Sequence, residues 1–486
     1  MPFAMKIALI SSSFPKSLEE DPGFPASFEL AKGLAEAGHD LLVLTFANPK
    51  DESDNERVVD LGNLPGRMRV FRRQVDFNQY ATFQGLSRFP TFAWQLARAR
   101  DLFVSTQDLL EEFEPDIIEV QDFDGLGFFF AAQRKYPLLV KAYGPMSLIT
   151  ERGLVGDVPV ADRELIAAME AAPLAQADGV AAICHDIAGW WSTRTGRNLD
   201  EIDIIRTPMT MPGSLPEKTG VFEGRFPTIF FWGRVERLKG ADLVVECLPE
   251  IVSKYPRTRV LIGGQETTEY GKERPYAETM RERLAELGLS EHVDFLGFMS
   301  REKIIETVVN ADICVFPSRY ETACYSCIEA MAYGAFCVGT RVGGLQEYCK
   351  HGESGWLVEP DDPEALAAGI LHVLGDDELR ARIAGQAPDH VRRFCDKKES
   401  AERSAAAYSR AIDRFAAAEK TGAFPVFAEF FGNALCDEPS RQSQDRSYET
   451  GYEEGYQAAT RERTMSLGGA LYNLLRRARA SLLAGR

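Results

Sequence analysis

Two basic residues follow an apolar run in the middle of the chain. In the segment FFWGRVERLKG, residues 230–240, Arg234 comes directly after Gly233, and Lys239 stands where a helical pattern begins. A guanidinium, an ammonium and the N-terminus of a helix all bind phosphate oxygens. Glycine lets the backbone approach a ligand closely. The segment therefore predicts a diphosphate site, with a basic strand-to-helix turn that binds nothing as the alternative.

Two glutamates in the segment PSRYETACYSCIEAMAYG form a second candidate. Glu321 and Glu329 are eight positions apart. In a helix that spacing is roughly 12 Å, which is too far for two carboxylates to hold one atom. Carboxylates accept hydrogen bonds from hydroxyl groups, so the pair would suit two parts of an extended ligand such as a nucleotide sugar. A solvated helix face is the alternative, although the apolar neighbours of Glu329 argue against it.

Glycines before helical patterns offer further backbone donors. Gly343 and Gly344 precede a short helical pattern in TRVGGLQEY, and Gly23 and Phe24 precede another near the amino terminus. Free N–H groups at such positions can hold a phosphate. We expect both segments to face the same diphosphate across a cleft, with plain tight turns as the alternative.

Short apolar runs alternate with amphipathic stretches along most of the chain, which is typical of parallel sheets covered by helices. Predicted strands in the first half are 6–12, 40–46, 116–121, 137–143, 179–184 and 202–207. Those in the second half are 228–233, 259–264, 293–297, 312–318, 335–340 and 355–360. The sequence therefore predicts an α/β protein with two Rossmann-like, doubly wound domains that face each other across a cleft.

The change in pattern sets the expected boundaries. We expect a first domain over 1–215, a linker rich in proline and glycine within 208–227, a second domain over 225–395 and a crossing helix over 396–418. A polar tail over 419–486 ends in a basic amphipathic pattern. Residues 466–486 could pack on the domains, mediate self-association or contact an anionic membrane peripherally, and the pattern leaves these three open.

Composition excludes several classes of protein. The 486 residues carry a formal net charge of −18, which argues against a nucleic-acid partner. The chain has no apolar run of 18 residues and its opening is unlike a signal peptide, so we expect a cytoplasmic protein. The nine cysteines lack a framework spacing, which indicates reduced and mostly buried thiols.

The order of these motifs resembles a known family. G-R-x4-K-G, then E-x7-E with EAMAYG, then GGLQE and HGESGWLVEPDDPEALA are similar to the retaining GT-B glycosyltransferases of glycosyltransferase family 4. The resemblance covers roughly residues 5–415. It implies that the second domain binds a nucleotide-diphospho-sugar donor and that the first domain binds the acceptor.

The resemblance also implies roles for single residues. Arg234 and Lys239 would hold the diphosphate, Glu329 the ribose hydroxyls and Glu321 the donor sugar. The amides near Gly344 and Leu345 would hold the phosphate or the sugar. The base would lie near Leu296 to Met299, a segment that includes Phe298.

We therefore expect a glycosyltransferase of the hexosyl-transferring, retaining type, with UDP as the nucleotide of the donor and a glycan or glycoconjugate as the acceptor. We expect neither a cofactor nor a metal ion. The alternatives are a GT-B epimerase or phosphorylase, and a glycan-binding or scaffolding subunit that keeps the fold without turnover. The presence of all four charged residues of the donor motifs argues against the latter.

The first domain departs from the family pattern. Where relatives have a histidine, this chain has Gln121 or Tyr143. Asp122, Asp124 and Tyr143 follow predicted strands and are the candidates for contact with acceptor hydroxyls. The D-x-D of Asp122 and Asp124 also resembles a metal motif, but a loop with acidic residues is the favoured interpretation.

Two further motifs favour structural roles. The C-x-x-C of Cys324 and Cys327 lies inside the donor motif, so a redox role is disfavoured. The run RMRVFRR, residues 67–73, holds four arginines. We expect a solvated loop there, with a strand that binds an anionic acceptor or a membrane as the alternative.

Overall fold

A computed structural model describes residues 4–15, 26–47, 58–60, 62–75, 86, 89–154, 158–222, 226–268 and 274–421. Gly23, Phe24 and the basic end of the tail, for which roles are predicted above, lie outside the described residues. Within the described ranges the chain forms two sheets, of eight and six strands, with helices between the strands. The predicted α/β architecture of two Rossmann-like domains is confirmed.

The first sheet has the order β3-β4-β2-β1-β5-β6-β7-β8, in which only the β3–β4 pair is antiparallel. Its strands are β1 Lys6–Ile10, β2 Asp40–Phe46, β3 Val58–Asp60, β4 Met68–Arg73, β5 Ile117–Gln121, β6 Leu138–Ala142, β7 Gly179–Ala182 and β8 Ile202–Ile204. The central strands are apolar because helices cover both faces of the sheet. All six strands predicted in this half are present.

Seven helices among the described residues cover this sheet. They are α1 Ala26–Glu36, α2 Pro90–Ser105, α3 Gln107–Phe113, α4 Phe128–Gln133, α5 Met146–Glu151, α6 Val160–Gln176 and α7 His185–Thr195. Helices α5 and α7 follow β6 and β7 directly, so their first turns lie at the carboxyl edge of the sheet. This is the edge at which open α/β sheets bind ligands.

The expected solvated loop at 67–73 is wrong, because Met68–Arg73 forms strand β4. Its apolar residues pair with β2, with Val70 opposite Val43. Arg72 is buried and donates to the carbonyl oxygen of Pro15, and Arg73 forms an ion pair of 2.9 Å with Asp101. Partners inside the protein allow these two charges to lie in a strand.

The second sheet is entirely parallel, in the order β11-β10-β9-β12-β13-β14. Its strands are β9 Thr228–Trp232, β10 Arg259–Gly263, β11 Val293–Gly297, β12 Ile313–Phe316, β13 Cys337–Thr340 and β14 Trp356–Val358. The helices are α8 Ala241–Lys254, α9 Tyr276–Leu287, α10 Arg301–Asn310, α11 Tyr325–Ala332, α12 Leu345–Tyr348, α13 Pro363–Leu374 and α14 Asp377–Phe394. All six predicted strands are again present.

A long final helix, α15 Lys397–Thr421, returns to the first domain. Tyr408 Oη donates to Glu119 Oε2 over 2.6 Å, and Arg410 forms an ion pair of 2.7 Å with Asp203. Both partners lie on strands of the first sheet. The helical extension therefore ties the end of the second domain to the first. None of the helices in the described ranges is long and apolar enough to cross a membrane.

Candidate functional site

The first basic residue of the candidate donor site stands at the carboxyl end of the central strand β9. Gly233 ends the strand and donates its N–H to the Gly263 carbonyl over 3.1 Å. A Cβ on Gly264 would lie 1.8 Å from the Gly233 carbonyl oxygen, so the two strand ends need glycine to pack this closely. Arg234 follows with a side chain that is 57% exposed, 3.0 Å from the carboxylate of Glu236. Its guanidinium is therefore accessible from the cleft.

The second basic residue is half-buried and paired. Lys239 ends a short 3-10 turn before α8, and its Nζ lies 2.6 Å from Glu321 Oε1. Ser318 Oγ donates to the same oxygen over 3.0 Å. Burial lowers the pKa of Lys239, but the attraction of Glu321, its hydrogen bond and the nearby Cys324 together outweigh burial, so the pKa is raised above its usual value. Lys239 stays cationic beside the position predicted for the diphosphate.

Gly240 explains how Lys239 reaches Glu321. Gly240 has a φ of +69°, and a Cβ there would lie 2.0 Å from the Pro317 carbonyl oxygen. Only glycine accepts both this backbone conformation and this contact. The turn carrying Lys239 therefore lies directly against the loop that leads to Glu321.

The two glutamates of the E-x7-E motif do not share a helix. Cys324 has a left-handed φ of 53°, and α11 begins after it at Tyr325. The spacing predicted from one continuous helix is therefore wrong, because Glu321 lies in the preceding loop and only Glu329 is helical. Glu329 is 2% exposed and forms an ion pair with Arg301, the first residue of α10. Among the described residues its Oε2 accepts no hydrogen bond.

The glycine turn packs on the Glu321 loop. Gly343 has a φ of +40°, and a Cβ there would lie 2.2 Å from the Glu321 carbonyl oxygen. Gly344 donates its N–H to that same oxygen over 2.9 Å. The Gly344 amide is thus used within the protein, and the predicted role in phosphate binding rests on the amide of Leu345. The contact brings all three donor segments, 233–240, 317–329 and 343–345, to one edge of the second sheet.

The predicted base site also lies at this edge. Phe298 follows β11 and is 87% exposed. Met299 is buried instead. A Cβ on Gly263 would lie only 2.4 Å from the Met299 sulfur, so the methionine packs directly on this glycine. A solvent-facing aromatic ring beside a cleft offers a flat surface for a base.

The acceptor-side candidates point into the protein. Asp122 is buried, and its carboxylate accepts from Trp191 Nε1 and from the Tyr143 N–H, each over 2.9 Å. Burial raises the pKa of Asp122 to about 6. Asp124 pairs with Arg98 over 2.8 Å. The described residues contain no group of three or more candidate metal ligands.

Tyr143 differs from the two aspartates. Its hydroxyl is buried, and among the described residues it makes no hydrogen bond. It lies at the carboxyl edge of the first sheet, and burial raises its pKa well above the usual value, with smaller contributions from Glu119 and from Tyr348 of the second domain. The acceptor role of all three residues stays a prediction.

Several charged groups at these sites were missed from the sequence. Glu170 on α6 accepts from the N–H groups of Met146, Ser147 and Asp124, and burial raises its pKa to about 8. Glu236 lies inside the segment that carries Arg234, so the motif itself contained the signal. For Glu170 the sequence contains no such signal, because its hydrogen-bond partners are 23 to 46 positions away.

Two family models match this chain. A model described as a glycosyl transferase 4-like domain matches residues 26–205, and one described as glycosyl transferases group 1 matches residues 217–390. The chain belongs to the GT-B glycosyltransferases of the family 4 type. The second match contains every donor residue predicted in the second domain.

Curated relatives of this GT-B chain match over different lengths. The D-inositol 3-phosphate glycosyltransferase of Corynebacterium urealyticum is 37% identical over 168 residues, which are 34% of this chain and 39% of that protein. The N-acetyl-alpha-D-glucosaminyl L-malate synthase of Bacillus anthracis is 24% identical over 75% of this chain and 87% of that protein. The chain thus spans only 39% of the length of the first of these relatives.

Solved structures share the GT-B fold. A sucrose-phosphate synthase from Thermosynechococcus elongatus has a TM-score of 0.65 at 21% identity, over 85% of this chain and 100% of that one. Anabaena HepE in complex with UDP has a TM-score of 0.57 at 19% identity, over 83% of this chain and 100% of that one. At these identities the likeness establishes the fold alone.

The cysteines of this GT-B chain fit a reduced protein. The eight that lie in described ranges are free and buried. Burial raises the pKa of the Cys324 thiol well above its ordinary value, which disfavours the reactive thiolate. The prediction that this C-x-x-C is not a redox motif is consistent with its environment.

Proposed function

We propose that the protein is a retaining glycosyltransferase that moves a hexosyl group from a nucleotide-diphospho-sugar to a hydroxyl of a glycan or glycoconjugate. One observation carries the proposal: Arg234 and Lys239 converge at the carboxyl edge of the second sheet. Glu236 interacts electrostatically with both cations and with Glu321. Two cations beside one strand end form a site for the two phosphates of a nucleoside diphosphate.

The cations stabilise the leaving group. As the bond between the anomeric carbon and the phosphate oxygen breaks, negative charge grows on the diphosphate. Lys239 is held in place by Glu321 before the reaction, so it needs little reorganisation to stabilise this charge. Arg234 is exposed and offers a planar set of donors to the same group. The chain's largest contribution to rate would come from these two side chains.

The glutamates bind hydroxyl groups of the donor. Glu321 has one oxygen engaged with Lys239 and Ser318, so its second oxygen is placed to accept from the sugar. Glu329 is a buried carboxylate whose Oε2 makes no hydrogen bond with the described residues. Ribose hydroxyls would satisfy such an oxygen. The glutamates would therefore fix the donor at both ends of the diphosphate.

Retention follows if the acceptor attacks from the face that the diphosphate leaves. The bond from the anomeric carbon to the acceptor oxygen then forms on the side where the bond to phosphate breaks. The acceptor proton passes to the departing phosphate oxygen. No protein nucleophile is required, and we propose that neither a metal nor a cofactor takes part.

The relatives guide the choice of substrates. HepE has been solved with UDP and with UDP-glucose, which supports UDP as the nucleotide. The names of two curated relatives contain D-inositol 3-phosphate and L-malate. Small anionic acceptors therefore belong in the same assay as glycans and glycoconjugates.

The test is release of nucleoside diphosphate from a panel of UDP-, GDP- and ADP-sugars, with and without acceptors. We expect turnover of a UDP-hexose, faster with an acceptor, and NMR should show that the product keeps the donor's anomeric configuration. Inversion would refute the retaining mechanism. Nucleotide-sugar binding without turnover, under every condition, would favour the non-catalytic alternative.

A matched pair of variants assigns the activity to the site. Arg234→Ala should lower transfer by at least about 100-fold, because it removes charge stabilisation from the leaving group. Arg341→Ala, at an exposed ion pair with Glu359, should not change the rate. Equal rates in both variants would exclude Arg234 from catalysis.

A further inference from the structure

The first turn of α7 in the first domain is capped by the second domain. A helix begins with N–H groups that have no partner inside the helix. The N-cap residue Cys184 makes no capping hydrogen bond with its side chain. Instead, Glu347 Oε1 accepts from the N–H groups of His185 and Asp186, over 2.8 and 3.3 Å. Glu347 belongs to α12, immediately after the glycine turn.

Further contacts strengthen this cap. Glu347 Oε2 lies 2.8 Å from His185 Nδ1 and 3.2 Å from Arg206 Nη1. Burial alone would raise the pKa of Glu347, but these partners outweigh it and lower the pKa below its usual value. Glu347 is therefore an anion held between four donor groups of the first domain.

A second residue of the second domain holds the same turn. Tyr320 Oη donates to Asp186 Oδ2 over 2.7 Å. The Tyr320 ring is 3% exposed and lies 4.1 Å from the Arg152 guanidinium, measured to the ring centroid. A Cβ on Gly343 would lie 2.8 Å from this ring, so the tyrosine packs directly on the glycine turn.

Both residues are adjacent in sequence to donor groups. Tyr320 precedes Glu321, and Glu347 comes two residues after Leu345. A Cβ on Gly344 would lie 2.9 Å from the Cβ of Cys184. The turn that binds the donor therefore touches the first domain at the point where α7 begins. Tyr320 and Glu347 therefore lie where the two domains meet, beside the proposed donor site.

We propose that Tyr320 and Glu347 are positioning residues, which align the first domain and its bound acceptor with the donor sugar by holding the first turn of α7. This inference rests on the proposed glycosyl transfer. Neither residue needs to touch the substrate. Donor binding uses the second domain, whereas transfer requires the acceptor to be aligned as well. The two steps should respond differently when the contact is removed.

The test uses Tyr320→Phe, which keeps the ring and removes only the hydroxyl, and Glu347→Gln, which keeps the shape and removes the charge. We expect the Kd of UDP to stay within about twofold, while kcat for transfer falls by about 10- to 100-fold because reacting groups are misaligned. Hydrolysis of the donor by water, which needs no aligned acceptor, should change less than about threefold. A tenfold weaker Kd with unchanged kcat would overturn the inference, and so would unchanged transfer in both variants.

Two controls match these substitutions away from the contact. Tyr136→Phe removes a hydroxyl bonded to the Leu110 carbonyl over 3.2 Å, and Glu359→Gln removes a surface charge. Both should transfer at the wild-type rate. A thermal melt of every variant separates loss of alignment from loss of folding.

A measurement without turnover keeps this inference separate from the proposed function. If the wild-type protein turns over no nucleotide sugar, with or without acceptors, the proposed function fails, but the contact can still be tested by small-angle X-ray scattering. The double variant Tyr320→Phe/Glu347→Gln should have a larger radius of gyration than the wild type, because the domains separate. An identical scattering profile would overturn the proposed alignment.

Discussion

Lys239 and Glu321 are 82 positions apart in the sequence and form an ion pair of 2.6 Å at the edge of the second sheet. The lysine comes from the turn after β9, and the glutamate comes from the loop after β12. Strands β9 and β12 are neighbours in the parallel sheet, so their carboxyl ends meet. The pair joins the proposed diphosphate site to the proposed sugar site.

This pair gives a prediction for catalysis. Lys239→Met should lower kcat for transfer by at least about 100-fold, because a preorganised charge is lost from the leaving group. Lys239→Arg should restore part of the rate. Lys135→Met is the control, since Lys135 makes an ion pair of the same 2.6 Å length with Glu111 on the surface of the first domain. A rate for Lys239→Met near that of the control would contradict the assignment.

Glu329 should act on nucleotide affinity. We expect Glu329→Ala to raise the Kd of UDP about tenfold with little change in kcat, because ribose hydroxyls change little in the transition state. The decisive comparison uses 2′,3′-dideoxy-UDP, which lacks the hydroxyls. With that ligand, wild type and variant should bind equally. If Glu329→Ala weakens both ligands alike, Glu329 does not bind the ribose.

The acceptor candidates can be separated by stability. Asp122→Asn should lower the free energy of unfolding by about 1–3 kcal/mol, because it disturbs a buried set of hydrogen bonds to Trp191 and Tyr143. Tyr143→Phe removes a buried hydroxyl that makes no hydrogen bond with the described residues, so stability should not fall. If Tyr143 binds the acceptor, the Phe variant should raise the KM of the acceptor and leave the Kd of UDP unchanged. An unaltered acceptor KM would remove Tyr143 from the acceptor site.

Glu170 predicts a pH dependence of stability. Burial raises its pKa to about 8 in the folded state, against an ordinary value of 4.5. Between these values the folded state holds a proton that the unfolded state has released, so the free energy of unfolding falls as the pH rises. The slope from this one group is at most about 1.4 kcal/mol per pH unit. The stabilisation associated with the protonated carboxyl of Glu170 is therefore fully present below pH 4.5 and is lost as the pH rises through about 8.

Urea unfolding between pH 7 and 8 tests this dependence. Histidines 39, 351 and 390 have lowered pKa values and contribute below pH 6.5 instead. Glu170→Gln, which cannot titrate, should show a flatter dependence than the wild type. Parallel curves would mean that Glu170 is ionised in the folded protein.

The sequence by itself determined the architecture and singled out the candidate donor motifs. Alternation of apolar runs and helical patterns identified twelve strands, because strands buried on both faces must be continuously apolar. It also singled out Arg234, Lys239 and Glu321, which come after strands, and Glu329, which stands among apolar residues of a helix. Strand β4 was missed because its arginines hide the apolar pattern, and their partners come from elsewhere in the chain.

Tertiary structure alone decided which groups meet. The left-handed Cys324 starts α11 after Glu321, and local sequence did not show that break. Asp122 and Asp124 follow a strand as predicted, yet their carboxylates bond to partners 21 to 69 positions away and 26 to 29 positions away, respectively. The contact between Glu347 and the first turn of α7 joins residues 161 and 162 positions apart. Such pairings depend on how distant segments pack, within the first domain for the two aspartates and between the domains for Glu347, and spacing along one chain carries no record of that.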